Sequence, residues 1–171
     1  MKNKKILFVC KHNVFRSRVA EEYMKQKSGY DVSSAGIIMG DSLPKAQKDA
    51  ALKFGLDISF NSKTLSIDLL RKQDLVVVVA SDIPKELFDS PLYNLKGKMI
   101  FWKIKDVQNL YTPSEKNSED IIEAIINFTR LTGDQVLFHH SFLTERPPGI
   151  TWKEFRKFYE EWEKNKTESN V

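Results

Sequence analysis

Near the start of the chain, Cys10-Lys11-His12-Asn13-Val14-Phe15-Arg16-Ser17 combines a soft nucleophile with groups suited to holding an oxyanion. A loop of this length feeding a helix N-terminus can aim several backbone N–H groups at one anion, and the helix dipole adds to them. Arg16 can reach back with two parallel donors for phosphate oxygens, and Ser17 can donate a hydrogen bond to the sulfur. Each of these favours negative charge, so thiolate is the expected form of Cys10 near neutral pH. A thiolate set beneath a phosphate held by its other oxygens is placed for in-line attack, giving a phosphocysteine that water then hydrolyses. Arg16 and the backbone donors would bind the equatorial oxygens most strongly in the transition state. Cys10 and Arg16 are therefore the expected catalytic pair, with Lys11, His12, Asn13, Val14, Phe15 and Ser17 as the residues surrounding the substrate.

Such a loop works only if rigid elements hold both its ends. Lys5 to Val9 (KILFV) reads as a short buried parallel strand ending at Cys10. After Ser17, the apolar residues Val19, Ala20, Tyr23 and Met24 recur at helical spacing. Ser17 is the expected N-cap, Glu21 and Glu22 lie in the early turns, and Ser28-Gly29 ends the helix. The loop thus sits at the carboxyl end of a strand, where open α/β sheets bind ligands. Further along, Tyr30 to Ser34, Leu75 to Ala80 (LVVVVA) and Lys98 to Trp102 read as strands. A helix from Pro44 to Gly55 and short helical pieces at Ile67 to Arg71 and Ile83 to Phe88 separate them. This alternation implies a parallel sheet with right-handed crossovers. Asp106 to Asn117 is a polar loop. Ser118 is the expected cap of a helix with Ile121, Ile122, Ile125, Ile126 and Phe128 facing inward, and Thr132-Gly133 its expected stop. Val136 to Phe138 and Phe142-Leu143 suit a strand or a packing segment. Pro147-Pro148-Gly149 suits a turn before an aromatic helix containing Trp152, Phe155, Phe158, Tyr159 and Trp162.

The bulk numbers set limits. At 171 residues the chain can bury a full core. The expected division is a main domain over 1–131 and an extension over 132–171 packed on it, with a frayed tail at 164–171. No apolar run nears the ~20 residues of a bilayer span, and the apolar stretch after Lys5 is too short for a signal peptide. A cytoplasmic protein with no membrane partner is expected. A net charge of +4 favours anionic partners. The lysines are scattered without interleaved aromatics, so nucleic acid is not an expected partner. One cysteine and three histidines cannot supply a multi-cysteine zinc site or an internal disulfide, so no metal or cofactor is expected.

Val9 through Glu21 (VCKHNVFRSRVAE) resembles the phosphate-binding loop of the low-molecular-weight protein tyrosine phosphatases and the related arsenate reductases. Matches follow in order at Ser34-Ala35-Gly36, Gly55 to Ser59 (GLDIS), Asp74 to Asp82 (DLVVVVASD) and Lys98 to Asp106 (KMIFWKIKD), so the resemblance covers about residues 4 to 130. It implies a four-stranded parallel sheet with helices on both faces, a flavodoxin-like three-layer arrangement, and metal-free phosphomonoester hydrolysis. Cys10 matches the family nucleophile, Arg16 the phosphate-binding arginine and Ser17 the hydroxyl that stabilises the thiolate. Asn13 matches an asparagine whose side chain holds a strained backbone, and Asp106 matches the general acid. Chemistry asks for such an acid, because an alkoxide or phenoxide leaving group needs a proton. Asp106, on a loop after a strand, is better placed than Asp120 or Asp134, and Asp82 reads as structural.

The chain departs from the family pattern at four places. His12 stands where glycine is usual, Phe15 where a second cysteine is common, Arg18 where proline opens the helix, and Val107 where proline follows the acid. No catalytic group is lost. Three functions stay open: a phosphatase acting on phosphotyrosine proteins or small phosphomonoesters, an arsenate reductase borrowing an external thiol, and a phosphate-binding interaction module. Ile37, Ile38, Met39, Tyr111 and Phe15 are candidates for an apolar substrate rim.

Overall fold

The computed structural model describes residues 4–106 and 114–144, with side chains as far as residue 129. Four strands form one parallel sheet in the order β2-β1-β3-β4: β1 (Lys5–Cys10), β2 (Asp31–Gly36), β3 (Leu75–Val79) and β4 (Met99–Trp102). The helices are α1 (Arg16–Lys27), α2 (Lys45–Lys53), α3 (Ile67–Arg71) and α4 (Glu115–Thr144), with 3-10 turns at Lys85–Phe88 and Pro91–Tyr93. All five residues of β3 are buried, as a central strand covered on both faces requires. Leu7, Val9, Val76 and Val78 pack with Leu70 of α3, Phe88 and Leu95. Phe8 lies against Trp102 at 5.7 Å, and Trp102 stacks on Phe128 of α4 at 5.6 Å. Ile122 and Ile125 of α4 are fully buried.

The chain divides into two compact units, Met1–Gly133 and Asp134–Val171. Three expected boundaries change. Ser17 is not the N-cap of α1: the helix begins at Arg16, its first turn carries no acidic residue, and the Ser17 side chain turns to the sulfur instead. α4 begins three residues before Ser118, where Ser114 Oγ accepts from Asn117 N at 3.1 Å. That helix also runs through Thr132-Gly133 to Thr144, so Val136 to Phe138 and Phe142-Leu143 are helical and not strand. A single interior glycine costs about 1 kcal/mol relative to alanine, which a long ladder of backbone bonds absorbs. The Pro147-Pro148-Gly149 turn, the aromatic helix and the 164–171 tail lie outside the described residues. Among the described residues no helix is long and apolar enough to cross a membrane.

Candidate active site

β1 delivers Cys10 to the carboxyl edge of the sheet, and α1 starts six residues later at Arg16. The intervening loop curls around the sulfur. Cys10 Sγ lies 3.0 Å from Ser17 Oγ and 3.3 Å from the Asn13 backbone nitrogen, which donates to it. Asn13 takes φ +50°, the left-handed region that asparagine tolerates better than most side chains. Its side chain holds the turn. Nδ2 donates to Ser17 Oγ and Ser34 Oγ, both at 2.8 Å, and Oδ1 accepts from Lys63 N at 2.8 Å.

A second layer supports the loop from behind. Ser62 Oγ donates to the His12 carbonyl and accepts from Gly40 N, each at 2.8 Å. Gly36 and Gly40 are pressed against the loop. A Cβ on Gly36 would sit 2.8 Å from Asn13 N and from the His12 carbonyl carbon, and one on Gly40 would sit 2.8 Å from His12 O.

Arg16 is 3% exposed and reaches two other strand ends. Nη1 donates to Asp82 Oδ1 at 2.9 Å, after β3, and to Ile104 O at 3.0 Å. Nη2 donates to Asp106 Oδ2 at 3.1 Å, after β4. A guanidinium has five N–H donors. Three are occupied among the described residues, which leaves Nε–H and one Nη2–H for a further acceptor. Burial raises the Asp82 carboxyl, but the hydrogen bond and charge of Arg16, aided by its own backbone N–H and by Lys11, outweigh it and hold the group below the usual carboxylate range.

The low-molecular-weight phosphotyrosine protein phosphatase family model matches residues 5–126. The chain belongs to this family. It is 41% identical over 85 residues to an arsenate reductase of Bacillus subtilis, a match covering 48% of this chain and 60% of that protein. Against an arsenate reductase of Brevibacillus brevis it is 32% identical over 138 residues, 78% of this chain and 100% of that protein. The chain spans about three-fifths of the length of the first of these relatives. The fold is also that of a mutant of YwlE from Bacillus subtilis, with TM-score 0.66 and 19% identity over 78% of this chain and 99% of the other.

Within this phosphatase-family frame, the structure joins Cys10, Asn13 and Ser17 in one hydrogen-bonded group and Arg16 and Asp106 in another. Lys11 and His12 are half-buried. His12 does not occupy the left-handed region, so its side chain carries no backbone penalty where the family has glycine. Val14 and Phe15 are each 5% exposed. Phe15 is therefore not a rim residue. Ile38 and Met39 are exposed, Ile37 lines an apolar groove with Leu65 and Leu87, and Tyr111 lies outside the described residues. The sequence reading sets Asp82 aside as structural, places Glu21 only as a helix residue and Ser34 only in a family match, and gives Ser62 and Gly40 no role. Asp82 had one readable signal, its position just past a strand at the ligand-binding edge. Contacts made by Ser62 to His12 and Gly40, fifty and twenty-two positions away in sequence, had none.

Proposed function

We propose that the protein is a cysteine-dependent phosphomonoester hydrolase of the tyrosine phosphatase type, working through a phosphocysteine intermediate. The observation that carries this reading is Cys10 Sγ at the base of the loop, receiving the Asn13 N–H, with Ser17 Oγ beside it. The loop N–H groups and Arg16 would bind the nonbridging oxygens while the sulfur attacks phosphorus. Asp106, carrying a proton when the phosphomonoester is bound, would give it to the leaving oxygen and, then a carboxylate, take one from the water that attacks the phosphocysteine. The substrate would be a phosphotyrosine protein or a small phosphomonoester, in the cytoplasm.

The names of the curated relatives favour a second reading, arsenate reduction. In it Cys10 attacks arsenate, and Cys10 with one external thiol supplies the two electrons. The thioredoxin-linked version needs further redox cysteines, and these 171 residues hold one.

The test is hydrolysis of p-nitrophenyl phosphate without added metal by wild type, Cys10→Ser and Asp106→Asn. Cys10→Ser should abolish turnover and Asp106→Asn should slow it strongly. Retained activity in the serine variant overturns the covalent route. Arsenate-dependent consumption of glutaredoxin-linked thiol with negligible phosphatase turnover assigns the second reading.

A further inference from the structure

Ile67 and Leu87 are 43% and 48% exposed, and with Ile37, Leu65 and Phe88 they line a groove of about 200 Å³. Beneath it lies the buried cluster that contains Cys10 itself. Leu70 and Phe88 are part of that cluster, and Ile37 and Leu65 pack against it. Backbone bonds tie one wall to the strand end that carries Cys10. Gly36 pairs with Cys10 across the sheet, Ile37 N donates to the Cys10 carbonyl at 3.1 Å, and Leu65 N donates to Gly36 O at 2.7 Å. The other wall, Leu87 and Phe88, belongs to the 3-10 turn on the segment just past Asp82, the partner of Arg16.

A phosphomonoester held by the loop points its ester oxygen away from the sulfur, because in-line attack puts nucleophile and leaving group on opposite sides of phosphorus. The rest of the substrate must therefore lie outside the loop, and the groove is an apolar surface tied to that same strand end. Only apolar surface gains by filling it. A sugar phosphate would bring hydroxyls that find no partners among these side chains. A peptide brings the right chemistry. Consecutive Cα atoms are about 3.8 Å apart, so the side chain next to a phosphotyrosine stays close once the phosphate is seated. A second copy of this chain fits less well. Stable dimers use about 20–30 residues a side, whereas the exposed apolar side chains lining this groove are Ile67 and Leu87.

We propose that the groove is a substrate subsite that takes a bulky apolar side chain directly next to the phosphotyrosine of a peptide or protein. This rests on Cys10 being the nucleophile of the proposed hydrolase, and it narrows the substrate from phosphomonoesters at large to phosphotyrosine proteins of that kind.

The experiment uses short phosphotyrosine peptides with Leu, Phe or Ser immediately before or immediately after the phosphotyrosine. Beside them stands p-nitrophenyl phosphate, which has no neighbouring residue to place. Phosphate release and melting temperature are compared for wild type, Ile67→Ser, Leu87→Ser and Leu92→Ser. Leu92 is 59% exposed but lies outside the groove, so it is the control. On at least one side of the phosphotyrosine, Leu or Phe should raise kcat/KM about tenfold over Ser, the scale of a small apolar group in a pocket. Ile67→Ser and Leu87→Ser should each erase most of that preference, with the Ser peptides and p-nitrophenyl phosphate reacting as in wild type. Leu92→Ser should keep the preference. Binding of labelled peptides to Cys10→Ser, followed by fluorescence anisotropy, needs no turnover and should rank them the same way. Peptides that behave alike in turnover and in binding overturn the proposal. So does a preference that survives both groove substitutions, or a loss just as large on p-nitrophenyl phosphate. A molecular mass that doubles with concentration in wild type but not in Leu87→Ser assigns the groove to a second copy instead. If wild type hydrolyses nothing while Cys10→Ser still ranks the peptides, the hydrolase reading fails and the groove remains a peptide-binding site.

Discussion

Asn13→Ala tests how the cradle is held. The substitution removes three hydrogen bonds and puts alanine at φ +50°. Lys63 N–H loses its acceptor in a partly buried place, which costs about 1–2 kcal/mol. Ser17 and Ser34 keep their other partners and each loses only an accepted bond, roughly 0.5–1 kcal/mol apiece. Forcing alanine into the left-handed region adds about 1 kcal/mol. The sum is about 4 kcal/mol for Asn13→Ala. Asn13→Gly loses the same bonds without the backbone strain, so it should cost about 3 kcal/mol, plus a cost for the greater freedom of the unfolded chain that narrows the gap. At about 2–4 °C per kcal/mol for a domain of this size, either variant should melt on the order of 10 °C lower. Urea titration followed by far-UV circular dichroism measures both. A loss under about 1 kcal/mol in Asn13→Ala would refute the bond accounting, and a glycine variant clearly less stable than the alanine variant would refute the strain argument.

Arg16→Lys keeps the charge but loses the fork that reaches Asp82, Ile104 O and Asp106; kcat/KM for p-nitrophenyl phosphate should drop by about 10²–10³ in protein whose circular dichroism is native. Gly36→Ala drives a Cβ within 2.8 Å of three backbone atoms, so it should lower both kcat and melting temperature, whereas Gly29→Ala, with nothing within 4 Å, should change neither. Burial raises the Glu21 carboxyl, but the Lys25 and Ser34 hydrogen bonds and the charges of Arg18 and Lys25 outweigh that and hold it below its ordinary range when folded. Its contribution is thus present above the unfolded-state value of about 4.3 and lost as pH falls through the folded one. Glu21→Gln should therefore be less stable than wild type in urea at pH 7, with the gap narrowing toward pH 3.

The strands were readable because their composition is local: Leu75 to Val79 is apolar without alternation and β-branched at its four valines, which suits a strand buried on both faces. The short α3 was readable over Ile67 to Arg71 for a similar reason, with Ser66 capping it through Leu69 N. Ser17 misled the reading because a serine before an apolar helical stripe has two uses for its hydroxyl, capping or donating to a neighbour. The neighbour here is the sulfur seven residues back. The reach of α4 was hidden by Gly133, since a glycine marks a helix end only when its surroundings let the helix stop there.

The nearness of Cys10 and Ser17 was determined by the sequence alone, because a strand, a short loop and a helix hold them within eight residues and no long-range contact is needed. The partners of Arg16 were decided by the tertiary structure. Parallel strands in the order β2-β1-β3-β4 end at one edge, and that geometry sets Asp82 and Asp106, sixty-six and ninety residues away, on the same guanidinium. The support behind the loop, from Ser34, Ser62, Lys63 and the two pressed glycines, was likewise decided only by packing. Hydrogen bonds and close contacts between distant segments depend on register and layer spacing, which no local pattern of residue types encodes.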